Sequence, residues 1–187
     1  NQMTVQRGWA GGAGFHVMGE GYAPTGQFTR DGQSFDPRGE ADVAALLLGG
    51  LLCNDADLAE GAGDASWRII GDPTEGALVV AAAKAGLRRA DMAKALPRVA
   101  EIPFDSDRKR MTTIHRHDPT TARTSTPAGF SYPPVVAFVK GAPDVVLDLC
   151  SRVLQDGQAV PLTEDKRRDV IERNREMSGN ALRVLAS

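Results

Sequence analysis

Apolar and polar positions along the chain fall into two rhythms. Between residues 39 and 53, Val43, Leu46, Leu47 and Leu51 recur at helical spacing and predict one amphipathic helix. Shorter apolar runs bounded by Gly, Pro and Asp predict strands at 15–18, 67–70, 99–103, 111–116, 135–140 and 158–161. The first forty residues carry Trp9, Phe15, Tyr22, Phe28 and Phe35 between turn formers, the pattern of short strands in a meander. A polar stretch, 54–66, reads as a loop, and 181–186 reads as a closing strand.

Helix starts are marked by capping chemistry. In Asp72-Pro73-Thr74-Glu75, Asp72 can accept from first-turn amides, Pro73 suits the first helical position, and Glu75 sits where a capping-box acid belongs. That helix should end near Lys84, with Gly86 beyond it, and a shorter one should cover 91–96 and stop at Pro97. Pro143 opens a further helix expected to turn Val146, Leu149 and Cys150 inward. Thr163 caps the last helix, whose first turn holds Glu164 and Asp165, and Gly179 ends it.

Hairpin-type spacing between strands, with several interspersed helices, predicts an α+β fold: a mostly antiparallel, twisted sheet flanked by helices. The 187 residues suit a single domain. The segment 117–134, rich in Thr, Ser, Pro and Gly, reads as a long exposed and mobile loop. Residues 1–7 and 181–187 both read as strands, placed to form two halves of a hinge to another domain. A start at Asn1-Gln2-Met3 reads as a domain excised from a larger protein.

Composition narrows the function classes. Hydrophobic residues at 42% and charged residues at 25% are those of an ordinary globular domain. A net charge of -2 gives no basic field for nucleic acid. The longest apolar run, 44–53, is about half the roughly twenty residues needed to span a bilayer, so no membrane contact is expected of this domain. Cys53 and Cys150 lie in separate apolar helical patterns and are expected to be buried free thiols.

Candidate chemistry centres on Phe138-Val139-Lys140-Gly141-Ala142-Pro143. Lys140 ends an apolar strand, which covers its stem and leaves the ammonium either snorkelling to water or meeting an anion at a cavity mouth. Gly141 would let a ligand approach the backbone. No Gly-x-x-x-x-Gly-Lys-Ser/Thr occurs, so a nucleotide here would be held by another geometry than a P-loop. Phe104, between a strand and the charged run 105–110, is either core or a stacking platform worth about 0.5–1.5 kcal/mol beyond its buried area.

Lys109 heads the basic candidates in Arg108-Lys109-Arg110, against a solvated turn neutralised by Asp105 and Asp107. Glu75 could accept from an exocyclic amine or close the capping box. Arg183 faces away from Leu182 and Val184, outward or toward a ligand. His115 and His117 share a strand face but have no evident third metal ligand. No nucleophile–base set is visible.

Together, the segments 52–55, 71–78, 102–104 with 108–111, 138–143 and 182–185 resemble the nucleotide-binding (N) domain of P-type cation-transporting ATPases, in family order and over nearly the whole chain. Asn1-Gln2-Met3-Thr4-Val5 looks like the segment that follows the family's phosphorylation motif. The resemblance implies ATP as ligand, with Glu75 on the adenine amine, Phe104 stacked on the ring, and Lys109, Lys140 and Gly141 lining the pocket. Arg183 would reach the phosphates. It further implies that Mg²⁺ is held mainly with a separate phosphorylation domain, whose aspartate takes the γ-phosphate.

That phosphorylation domain and an actuator domain of the same polypeptide would be its partners, and the location would be cytoplasmic, on an integral membrane pump. Thr-Glu-Gly-Ala-Leu with Asp-Arg-Lys-Arg-Met resembles the calcium-pump-like branch and its bacterial relatives, whereas the His-Pro signature of heavy-metal pumps is absent. Ser106 departs from the arginine that animal calcium pumps carry near the phosphates. The domain alone is expected to bind ATP without turnover. The alternative is a non-catalytic interaction module of the same fold with little nucleotide affinity.

Overall fold

The computed structural model describes residues 2–61, 66–117 and 132–187. Its architecture is α+β, as the sequence predicts. An N-terminal meander, β1 (Arg7–Ala10), β2 (Ala13–Val17), β3 (Phe28–Arg30) and β4 (Gln33–Phe35), forms an antiparallel ladder in that order. Phe15, Phe28 and Phe35 cluster from it with ring centroids 6.0–6.2 Å apart. A 3-10 turn at Pro37–Gly39 leads into α1 (Ala41–Leu52).

The core is built around α1, whose Val43, Ala44, Leu48, Leu51 and Leu52 are buried. It packs against α2 (Pro73–Lys84), which contributes Val79, Val80, Ala81 and Ala82, and against Met92 and Leu96 around α3 (Arg89–Ala95). Gly76 lets α2 lie against the strand before it: a Cβ there would stand 2.7 Å from Ile69 Cγ1.

Strands β5 (Asp57–Glu60) and β6 (Trp67–Ile70) form an antiparallel hairpin, so 54–66 is not loop throughout. Each face of β5 carries one apolar and one polar residue, Leu58 with Glu60 and Ala59 with Asp57, so no alternation marks the strand and its pairing with β6 defines it. The ladder that carries the site is β7 (Arg98–Asp105), β8 (Arg110–Arg116) and β9 (Val135–Gly141), with β8 central. On β8, Met111, Thr113 and His115 are buried and alternate with more open residues. Hydrogen bonds from Cys53 Sγ to Met111 O (3.5 Å) and from Thr113 Oγ1 to Leu52 O (3.4 Å) seat this face on the end of α1.

Then come α4 (Pro143–Leu149), the hairpin β10 (Arg152–Gln155) and β11 (Gln158–Pro161), and α5 (Glu164–Gly179). β10 adds to the predicted elements. Asp156 and Gly157 join it to β11 with φ of 51° and 73°, the positive pair that an Asp-Gly hairpin turn adopts.

Three expectations are corrected. Cys53 is buried but Cys150 is exposed, as is Leu149: α4 ends at Leu149, the backbone turns extended at Cys150, and only Val146 and Leu147 reach the core. Both thiols are free. The terminal segments are not strands over 1–7 and 181–187, because β1 begins at Arg7 and the closing segment joins the sheet by a single bridge, Ala186 to Gly141. Most of 117–134 lies outside the described residues. No described helix is long and apolar enough to cross a membrane.

Candidate functional site

Lys140 sits opposite Met111 in the β8–β9 register, on the buried face of the ladder, and is 6% exposed. Its Nζ reaches Glu75 Oε1 at 2.5 Å. Glu75 is delivered there by the helix start that the sequence marks. Asp72 Oδ1 accepts from the amides of Thr74 (2.8 Å) and Glu75 (3.1 Å), and Pro73 opens the first turn. A reciprocal capping box would send the Glu75 carboxylate back to Asp72. Instead Oε2 accepts from the Asp55 amide at 3.1 Å, which leaves the carboxylate between two donors.

Phe104 is brought over by a β-bulge. Ile102 pairs with Thr112 and Asp105 with Arg110, so Pro103 and Phe104 together oppose the single residue Met111. One extra residue shifts the alternation of the strand, and bulges re-aim side chains in this way. Met111 is the residue whose other neighbour is Lys140, so the three positions lie in one row across the ladder. Phe104 stays 63% exposed. It is not core; it is an aromatic ring presented to solvent.

Arg183 Nη1 donates to Thr74 Oγ1 at 3.1 Å, placing this guanidinium at the same helix start. Partial burial pushes the Asp72 carboxyl up, but the Glu75 and Thr74 amides, the Thr74 hydroxyl and the Arg183 charge together hold it below its ordinary value. Lys109 lies in the β7–β8 turn with φ 51°, its side chain exposed and its carbonyl accepting from Ala142 N at 3.0 Å. Gly141 lies against that turn: a Cβ would stand 2.9 Å from Arg110 Cα and close on Lys109 O. This close backbone crossing accounts for the glycine without a ligand.

Beneath Lys140 lies Cys53. Burial pushes its thiol pKa up against the opposing Lys140 charge. His115 Nδ1 lies 2.8 Å from Leu96 O and its Nε2 2.9 Å from Thr113 Oγ1, while His117 Nδ1 lies 3.0 Å from Tyr132 O. Both imidazoles are thus engaged with protein groups.

Residues 42–187 match the family described as P-type ATPase, cytoplasmic domain N. The chain belongs to this N-domain family. It is 41% identical over its whole length to a cation-transporting ATPase of Synechocystis, 33% to a calcium-transporting ATPase of Bacillus subtilis, and 38% to a probable cation-transporting ATPase of Mycobacterium tuberculosis. In each case the chain spans 19% of the relative's length.

In this N domain, then, Glu75 and Lys140 are in direct contact, Arg183 and Phe104 flank them, and Lys109 and Gly141 share one backbone junction at the end of the ladder. Sequence reasoning assigned no role to Asn54. Fully buried, it donates from Nδ2 to Gly50 O and Glu75 O (both 2.9 Å) and accepts from Ala56 N at 2.8 Å, tying the end of α1 to the first turn of α2. Beyond its place in the segment 52–55, its mark in the sequence is a lone amide directly after an apolar helix, where a carboxamide can both donate and accept. Arg89 was also missed, because an arginine opening a short helix looks solvated.

Proposed function

We propose that this N domain binds adenine nucleotide over the row Phe104–Met111–Lys140. The ring of Phe104 would stack on the base, and Glu75 would accept from the exocyclic amine. Lys140 would close the inner wall beside the purine, while Lys109 and Arg183 would draw the phosphates. The observation that carries this reading is an exposed aromatic, set by a bulge, in the same row as a buried lysine that is paired with the half-buried Glu75 carboxylate. An apolar plane beside a few fixed polar groups is what a small-molecule site requires.

The domain's contribution would be orientation, presenting the γ-phosphate to an aspartate on a separate phosphorylation domain of the same polypeptide. Mg²⁺ would come with the triphosphate and be held mainly by that domain. Glu75 and Asp72 are already committed to Lys140 and to helix amides. In the whole protein this would drive cation transport through a membrane, with Ca²⁺ the favoured ion because the Bacillus subtilis relative is named a calcium-transporting ATPase. The phosphorylation and actuator domains would be its partners.

Titration of the isolated domain with ATP, followed by NMR, tests the pocket. The amides of Glu75, Phe104, Lys140 and Arg183 should move at millimolar nucleotide. If they stay fixed, the pocket is misplaced and the reading of an interaction module with little nucleotide affinity takes its place.

A further inference from the structure

Arg89, the first residue of α3, donates from Nη1 and Nη2 to Asn54 O (both 3.1 Å) and from Nη2 to Ala56 O at 2.7 Å. Asn54 C=O and Asp55 N–H are the two ends of one peptide unit. In a trans peptide they point in opposite directions, so a cation fixed on the oxygen aims the N–H the other way. That N–H is the donor to Glu75 Oε2. A cation on the carbonyl also polarises the amide and strengthens its donation. Asn54 holds the same strip from its side chain, through Ala56 N and Glu75 O.

We propose that Arg89 is a positioning residue for the Glu75 carboxylate, acting through the Asn54–Asp55 peptide and so setting discrimination between amino and oxo groups at purine position 6. The carboxylate is clamped on one oxygen by Lys140 and on the other by the amide that Arg89 orients. Only the remaining lone pairs, in one fixed direction, are left for a ligand's amine. Burial works against the Arg89 charge, and Asp57, Asp55 and Glu75 offset that cost. The proposal rests on the nucleotide reading above, but the relay itself can be measured without nucleotide.

The test compares Arg89→Gln and Arg89→Lys with the unchanged chain, each also in a Glu75→Gln background. In the absence of nucleotide, Arg89→Gln should shift the Asp55 amide proton upfield, and much less so when Glu75 is Gln. With nucleotide, Arg89→Gln should weaken ATP binding about fivefold, the scale of one hydrogen bond, and leave ITP binding nearly unchanged. Arg89→Lys, which keeps the charge but cannot bridge both carbonyls, should fall between.

An equal loss for ATP and ITP, or an effect undiminished by Glu75→Gln, would mean that Arg89 only supports the fold and would overturn the proposal. An unmoved Asp55 amide would overturn it as well. If the unchanged chain binds neither nucleotide, the nucleotide reading fails, and the Asp55 shift alone then decides the relay.

Discussion

Lys140 Nζ lies 2.5 Å from Glu75 Oε1, joining the buried end of β9 to the first turn of a helix 65 residues earlier. Side-chain exposures of 7% and 19% leave the pair little water, so each charge depends on the other. Removing one partner of such a pair strands the second charge, whereas replacing both is far milder. Lys140→Met should therefore cost about 2–3 kcal/mol in urea unfolding, and Lys140→Met with Glu75→Gln should recover part of that loss. A double variant as unstable as the sum of the single ones would show that the two side chains do not interact.

Phe104 makes the opposite forecast. A ring that is 63% exposed contributes little to the core, so Phe104→Ala should change stability by no more than about 0.5 kcal/mol. Stacking on a base is worth about 1–3 kcal/mol, so ATP affinity should fall by roughly five- to 150-fold. Thermal unfolding and calorimetric titration on one preparation separate the two. A large loss of stability with unchanged affinity would return Phe104 to the core and remove it from the site.

Much of this arrangement was legible in the chain, because its signals are local. Asp72, Pro73 and Glu75 mark the start of α2 by chemistry that acts within one turn, and the structure shows Asp72 accepting the two amides. The apolar end of β9 likewise gave Lys140 a buried stem. What a sequence cannot display is pairing between distant segments. The Glu75 carboxylate turns to Lys140 and Asp55 rather than to its own cap, a choice made by β9 and by the end of α1. The bulge that sets Pro103 and Phe104 opposite Met111 exists only as a count of residues on two strands. β5, with one apolar and one polar residue on each face, carries no periodicity to read. Arg89 looked solvated because its partners are backbone carbonyls, which are invisible to any pattern of side chains.

Gly141 separates packing from binding. Its missing Cβ is demanded by the crossing of the β7–β8 turn, with Arg110 Cα 2.9 Å and Arg110 Cβ 2.7 Å from where that atom would stand. The same residue exchanges hydrogen bonds of 3.0 Å with Ala186 in both directions, so it cannot slide away freely. Gly141→Ala should destabilise the domain by about 1–3 kcal/mol without nucleotide present. It should also shift the Ala142 and Ala186 amides. A variant as stable as the parent but weakened in ATP binding would instead assign the glycine to the ligand.

His115 should give the domain a pH-dependent stability near neutrality. Burial holds its pKa below the ordinary 6.5, the Leu96 carbonyl opposes that shift, and the charges of Arg98 and Arg89 reinforce it. Arg98 faces it directly in the β7–β8 register, and the Phe138 ring packs edge-on at 5.4 Å. The unfolded chain then takes up a proton at a pH where the folded chain stays neutral. Stability from this group is therefore complete above about pH 6.5 and declines as pH falls below it, until the folded imidazole also protonates. The slope between pH 6.5 and 5.5 can reach at most about 1.4 kcal/mol per pH unit. His115→Gln, whose carboxamide can still donate to Leu96 O, should flatten this slope in urea unfolding measured across the range. If the slope survives the substitution undiminished, another group carries it, and the neutral buried imidazole is not what ties this sheet face to α3.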